Sequence, residues 1–215
     1  MNLDRKGALA AAAGPLALLA GLLWHPFIPD LRDKADVVRH LQADTATWFG
    51  AHLVVAIGSA VLLLSFLAVR AHVRTSVGRE AWTARSIPFL TMGSTLFVML
   101  PAMEIGLLAV EAVGGDLLAT HVALNRWWVP ILMAGSATFG LGSLLFAVGI
   151  LRARILSPGV ARLVAIALGV SAVSRFVPMT LPLLVGGAAL VVAFLPLAVT
   201  MWNAGAAKEA RAISA

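Results

Sequence analysis

An all-α polytopic membrane protein, a bundle of six transmembrane helices with both termini in the cytoplasm, is the fold class this sequence predicts. Three observations predict it. The 215 residues are 60% hydrophobic and only 12% charged, with a mean hydropathy of +0.95. A soluble domain carries about 45–50% apolar and about 25% charged residues. Six apolar windows, at about 7–24, 48–69, 87–113, 128–151, 163–184 and 186–202, approach or exceed the roughly 18–20 residues that cross a bilayer. Finally, the basic residues are segregated. Arg5, Lys6, Arg70, Arg74, Arg79, Arg85, Arg152, Arg154, Arg162, Lys208 and Arg211 fall on the side that holds both termini, against the acids Asp4, Glu80 and Glu209. The opposite side holds five basic and seven acidic residues. Lys and Arg flanking membrane spans mark the cytoplasmic side. The formal charge of +6 is therefore a topology signal and no indication of nucleic acid.

The first window follows Asp4-Arg5-Lys6 and ends in Trp24-His25-Pro26. It resembles a secretory signal, but a cleavable apolar core spans about 7–15 residues and ends at a small-x-small site. This one is longer and ends without such a site, so it reads as a retained helix. The loop 25–47 is the longest and most polar connection. Within it, KADVVRHLQA (34–43) places Val37, Val38 and Leu41 on one side, the pattern of a short helix lying on the membrane surface. Asp33 is placed to cap it, and Asp44 or Thr45 to cap the second span. The stretch 116–127 is either a second interfacial turn or the start of the fourth span. Pro178, Pro182 and Gly186-Gly187 interrupt the last long apolar run and divide it into the fifth and sixth spans.

Trp24, Trp48, Trp127 and Trp128 fall at the outer boundary and Trp82 and Trp202 at the inner one, where indole rings favour the headgroup level. Gly14 and Gly21 in the first span, and Ser136 and Gly140 in the fourth, have the spacing that lets helices approach closely. The chain has no Cys, which removes disulfides, thiolate ligands and thiol nucleophiles together. Its Ala/Val/Leu/Gly/Arg bias without Tyr fits a GC-rich bacterial genome. So little chain lies outside the spans that a single integral membrane domain, 1–215, is expected in the cytoplasmic (inner) membrane.

Ionisable residues inside apolar spans are the best pointers to function, because each costs at least about 2.5–3.5 kcal/mol to insert. Glu104 lies in the window 87–113 and Arg175 in 163–184, at matching depth. Ser94, Phe97, Pro101, Glu104, Leu108 and Glu111 share one face of the third span, and Leu168, Ser171, Ser174, Arg175, Pro178 and Pro182 one side of the fifth. A Glu104–Arg175 ion pair would relieve two desolvation costs at once. The prolines beside both residues favour a hydrated cavity between the second to fifth spans, open toward the outer leaflet.

The catalytic candidates are accordingly Glu104, Arg175 and His52. The candidate substrate pocket adds Trp24, Phe97, Pro101, Glu111, Trp128, Ser171 and Met179. His25, His52 and His121 form a weaker metal alternative, because no two of them have the spacing that fixes two ligands on one helix. His25, His40 and His121 read as solvated interfacial residues. The scattered methionines Met92, Met99, Met103, Met133 and Met179 read as core filler. No cofactor is expected, and there is no phosphate-cradling Gly loop or nucleophile elbow.

These features favour a membrane-embedded enzyme of the isomerase, cyclase or lipid-modifying type. Glu104 would act as acid or base on a lipid-like or isoprenoid substrate, and aromatic rings would steady a developing cation. The alternatives are a non-catalytic accessory or binding subunit, and a small transporter or haem/metal protein. The expected partners are membrane lipids and a hydrophobic small molecule. Transport would call for a homo-oligomer or a larger membrane complex.

A cysteine placed at Arg79 of this cysteine-free chain is expected to resist an impermeant maleimide in intact cells and to react after permeabilisation. Labelling in intact cells would invert the topology.

Overall fold

The computed structural model describes residues 3–78 and 80–214, with side chains through 211; Arg79, the labelling position above, lies outside the described residues. The described residues fold into seven helices without strands: α1 Leu3–Trp24, α2 Lys34–Ala43, α3 Thr45–Val77, α4 Ala81–Ala112, α5 Leu117–Ala153, α6 Pro158–Ser174 and α7 Thr180–Ser214. Five of them, α1, α3, α4, α5 and α7, are long and apolar enough to cross a membrane. The sixth apolar helix, α6, has 17 residues, about 25 Å at ~1.5 Å per residue, which is short of the ~30 Å hydrocarbon core.

Helix starts follow local chemistry. Asp33, Asp44 and Asp116 each accept a hydrogen bond from the backbone N–H three residues on, opening α2, α3 and α5 at 3.1, 2.9 and 2.9 Å. Glu80 accepts two, from Trp82 and Thr83 at 2.8 and 2.6 Å. Each acid satisfies orphan donors and sits at the positive end of its helix. Of the two expected caps for α3, Asp44 is the one used. The stretch 117–127 belongs to α5 and forms no separate turn.

The break in the last apolar run falls at 175–179, ahead of the expected Gly186-Gly187. Pro178 offers no N–H and disfavours helix at the residue before it, whereas Pro182 sits in the first turn of α7, where an N–H is not required. Both glycines lie inside α7 at close packing positions: a Cβ would stand 2.0 Å from Ser174 Oγ at Gly186, a clash, and 3.0 Å from Leu22 Cδ1 at Gly187, a tight contact. They serve close packing, and the helix runs through them.

The apolar helices form a closed ring in the order α1, α3, α4, α5, α6, α7, with α7 returning to α1. Phe66 of α3 occupies the axis. Its ring meets those of Phe139 and Phe146 from α5 and Phe194 from α7 at centroid distances of 5.9, 4.9 and 4.8 Å, all edge-to-face, the favoured geometry for aromatic pairs. All four rings are at most 1% exposed. The α1–α3 contact depends on bare backbone: a Cβ on Gly14 would stand 2.5 Å from Leu62 Cα, and one on Gly58 2.5 Å from Leu18 N. Gly140 differs from the expectation, its nearest neighbours being at an ordinary 3.7 Å.

At the end that holds both chain termini, Asp4 accepts from Lys208 at 2.6 Å and contacts His72 at 3.4 Å, while Arg5 pairs with Glu209 at 2.7 Å. These contacts tie α1, α3 and α7 together. At the other end α2 lies over the ring, burying Val37, Val38 and Leu41 with Ile28, Trp48, Leu107 and Leu117. The strap leading to α2 is stitched to the 175–179 corner: Leu31 N–H donates to the Pro178 carbonyl at 3.2 Å and the Thr180 hydroxyl to the Ile28 carbonyl at 2.5 Å. Trp48, expected in the boundary belt, turns inward and is 1% exposed, unlike Trp24 and Trp127.

Gly14→Val is expected to lower the stability of the detergent-solubilised protein by about 1–3 kcal/mol, the usual cost of overpacking. Gly106→Val is the control, since a Cβ there meets nothing within 4 Å. Equal melting temperatures for the two variants would mean that α1 and α3 do not touch at Gly14.

Candidate functional site

Below α2, inside the ring, lies a cavity of about 140 Å³. Leu18 and Leu22 of α1, Val55 of α3, Leu100 of α4, Leu132 of α5 and Leu183 of α7 make its wall largely apolar, and Leu31 and Val37 cover it. His25, His52, Glu104, Arg175, Trp48 and Trp128 are set into this wall. Apolar concavities with a few convergent polar groups are the usual form of a small-molecule site.

On α4 the 3–4 spacing turns Phe97, Pro101 and Glu104 to the cavity together. Pro101 lacks the N–H that would bond the Phe97 carbonyl, so the helix is loosened where it lines the cavity. The outer part of the same face diverges, since Glu111 lies on a shallow surface beside Thr45 and Leu108.

Glu104 is held by a residue the sequence reading placed elsewhere. His121 Nε2–H donates to Glu104 Oε1 at 3.2 Å, with side chains 3% and 12% exposed. His121 is therefore buried and is no solvated interfacial residue. The other carboxylate oxygen, Oε2, is buried and has no hydrogen-bond partner. The Glu104 carbonyl accepts from Trp48 Nε1–H at 3.2 Å, which fixes α3 against α4 beside the carboxyl group.

The expected Glu104–Arg175 ion pair is not formed among the described residues. Arg175 is the C-cap of α6 and lies at a helix end instead of in mid-span. It is 9% exposed, and the strap is hydrogen-bonded to the corner that follows it. Its guanidinium carbon stands over the rings of Phe97 and Phe139, at 4.4 and 4.3 Å, a cation–π arrangement that is strongest when desolvated. Its Nε–H is buried without an acceptor. The Arg175 carbonyl accepts from the Ser136 hydroxyl at 2.8 Å, locking α6 to α5.

Two histidines meet across the cavity's α1–α3 side. The ring centroids of His25 and His52 are 4.7 Å apart, and Trp48 stacks on His52 at 4.3 Å. His52 Nδ1–H donates to the Trp48 carbonyl and His25 Nδ1–H to the Pro26 carbonyl, both at 2.8 Å. A carbonyl only accepts, so the proton of each neutral ring is on Nδ1 and each Nε2 carries a lone pair. Near the roof, Lys34 Nζ donates to the Leu31 carbonyl at 2.8 Å and stands 5.1 Å from the Trp128 ring. Burial pushes its pKa down, with Glu104 opposing that shift.

Of the sequence-derived candidates, Glu104, Arg175, His52, His25, Phe97, Pro101 and Trp128 share the cavity wall. Trp24, Glu111, Ser171 and Met179 do not: Trp24 covers Gly50, Ser171 is buried on α6 and Met179 is half-exposed on the corner. No three His, Asp or Glu side chains among the described residues converge on a metal position, since His121 turns to Glu104. Thr180 and the strap residue Leu31 also line the cavity without having been singled out, and so does Trp48, which was expected in the boundary belt. Only Trp48 carried a usable signal, the i,i+4 spacing to His52.

No family model matches the chain, and no curated protein or solved structure shows significant similarity to it.

His121→Leu leaves Glu104 buried with neither oxygen partnered, which is expected to cost about 1–3 kcal/mol in thermal unfolding. Adding Glu104→Leu removes the stranded carboxyl group and should recover much of that loss. Additive destabilisation in the double variant would show that the two side chains are not coupled.

Proposed function

We propose that this is a six-span protein of the cytoplasmic membrane whose cavity binds an amphiphilic, lipid-like molecule, with Glu104 as the proton-transferring group. The observation that carries this reading is the cavity itself: an apolar enclosure within the ring into which a carboxyl group, a guanidinium and two imidazoles are built. A cavity of about 150 Å³ suffices for benzene, so this one, at about 140 Å³, takes a small head region with its first carbons. A longer tail would leave between helices.

The sixth crossing is the short α6. Its outward side carries Leu163, Ile166, Val170 and Val173, all exposed, an apolar stripe suited to acyl chains. An even number of crossings agrees with both ends of the chain lying together at the Asp4–Lys208 contact, and the Lys/Arg bias sets that end in the cytoplasm.

Chemically, His121 occupies Oε1 of Glu104, so exchange of a proton with a bound molecule passes through Oε2. The Nε2 lone pair of His52 is a second proton acceptor on the same wall. The carboxyl group thus takes or gives the proton and the imidazole relays it, while the apolar wall excludes water that would compete. A non-catalytic accessory role is the second reading. It is favoured by the Glu104–His121 contact, which joins α4 to α5 whatever the cavity holds.

Mass spectrometry of lipid extracted from the purified protein is expected to reveal a co-purifying amphiphile. Turnover of that molecule should fall by about 10²–10⁴-fold in Glu104→Gln, with the bundle still assembled. Unchanged turnover together with a lower melting temperature would replace the enzyme reading with the accessory one.

A further inference from the structure

We propose that the cavity selects a ligand with a single negative charge, a carboxylate-headed amphiphile of the fatty-acid type, and that Arg175 is the residue that holds the head. This deepens the reading above and rests on it.

Arg175 is the starting point. Its guanidinium is buried, and no carboxylate lies within ion-pair distance among the described residues. Phe97 and Phe139 answer its charge, but an aromatic face is a poor substitute for the lone pairs that five N–H donors call for. Nε–H remains sealed from water without an acceptor. The position at the C-terminal end of α6 accounts for a cation there, yet it leaves Nε–H unanswered.

A second donor is stranded on the same wall. Trp128 Nε1–H is buried and unpartnered, and Lys34 adds positive charge against the face of the Trp128 ring. Arg175 is the cation of the cavity lining and has no carboxylate partner among the described residues, while the carboxylate of that lining, Glu104, is engaged by His121. A guanidinium so placed calls for an anion from outside the chain.

Shape and charge then choose among head groups. A guanidinium edge presents paired N–H groups that match the two oxygens of a carboxylate. The free Oε2 of Glu104 on the same wall would repel the second charge of a phosphate monoester. The apolar wall formed by Leu18, Leu22, Val55 and Leu183 accepts the first carbons of a chain. A carboxylate on a hydrocarbon tail meets all of these conditions.

The test is equilibrium binding of radiolabelled octanoate, 1-octanol and octyl phosphate to the full-length protein in a neutral maltoside detergent at pH 8. Octanoate is expected to bind on the order of 10–100 times more tightly than octanol, the range given by hydrogen bonds to a charged group. In Arg175→Gln that preference should vanish while octanol binding is kept, and Arg175→Lys should restore part of it. Trp128→Phe, which keeps the ring and removes the N–H, should weaken octanoate binding selectively, and it carries the test if Arg175→Gln fails to assemble. Equal binding of octanoate and octanol to the unaltered protein, or a preference that survives Arg175→Gln, overturns the anion assignment and leaves the amphiphile pocket standing. Tighter binding of octyl phosphate than of octanoate overturns the carboxylate head. If none of the three probes binds, the pocket reading fails and this inference falls with it.

Discussion

The contact of Phe66 with three other phenylalanine rings is the interaction on which the rest of this bundle depends. A ring of six helices encloses more space than aliphatic side chains easily fill. In the half nearer the chain termini the four aromatic side chains fill it at interior density, and edge-to-face contact gives each a defined orientation. The other half has no such plug. There the ring is held open by Trp48, Phe97 and Trp128 at its wall and by α2 across its end, and the cavity is the consequence. Its location is therefore set by where the aromatic filling stops.

Desolvation then governs what the wall can contain. Every polar group in this apolar shell needs a partner or must bear the cost of lacking one. The two histidines turn Nδ1–H to backbone carbonyls, Trp48 Nε1–H finds the Glu104 carbonyl, and Ser136 finds that of Arg175. After these pairings three cavity-wall atoms remain unanswered: Glu104 Oε2, Trp128 Nε1 and Arg175 Nε. They comprise one acceptor and two donors. Buried polar atoms in a folded protein are overwhelmingly paired, and His121 Nδ1 beside Glu104 and the hydroxyls of Ser94, Ser143 and Ser171 are unanswered as well, so this cost is borne across the bundle and not on the cavity wall alone.

Sequence periodicity made much of this legible. The apolar windows located the five long apolar helices but not the short α6, acids located the caps at Asp33 and Asp44, and 3–4 spacing put Phe97, Pro101 and Glu104 on one face. These are properties of a single helix, and one-dimensional patterns carry them well. Pairing between helices is different, because it depends on the order of helices around the ring and on the rotation of each. Nothing in the spacing of residues 104 and 121 reports that His121 would reach Glu104. The depth match of Glu104 and Arg175 held only for an uninterrupted fifth span, and equal depth says nothing about rotation. Trp48 misled for a related reason: a Trp at a predicted boundary is ordinarily a headgroup anchor, but here α2 lies over it and makes the boundary an interior.

The displaced helix break explains several of these departures together. Because Pro178 ends α6 at Ser174, the chain turns a corner at 175–179 below the level that a full-length span would reach. Irregular backbone at membrane depth is tolerated only where protein covers it or where it lines a cavity. Both conditions are met: the strap supplies Leu31 N–H and the Ile28 carbonyl to the corner, and Arg175 at its start lines the cavity. Arg175 is thereby moved from mid-helix, where it would have faced α4 or lipid, to a helix end against the cavity. A short sixth helix, a strap stitched to its end and a buried guanidinium on the cavity wall are thus one structural device. Lengthening α6 would push its end through the strap, so the short helix and the covered cavity stand or fall together.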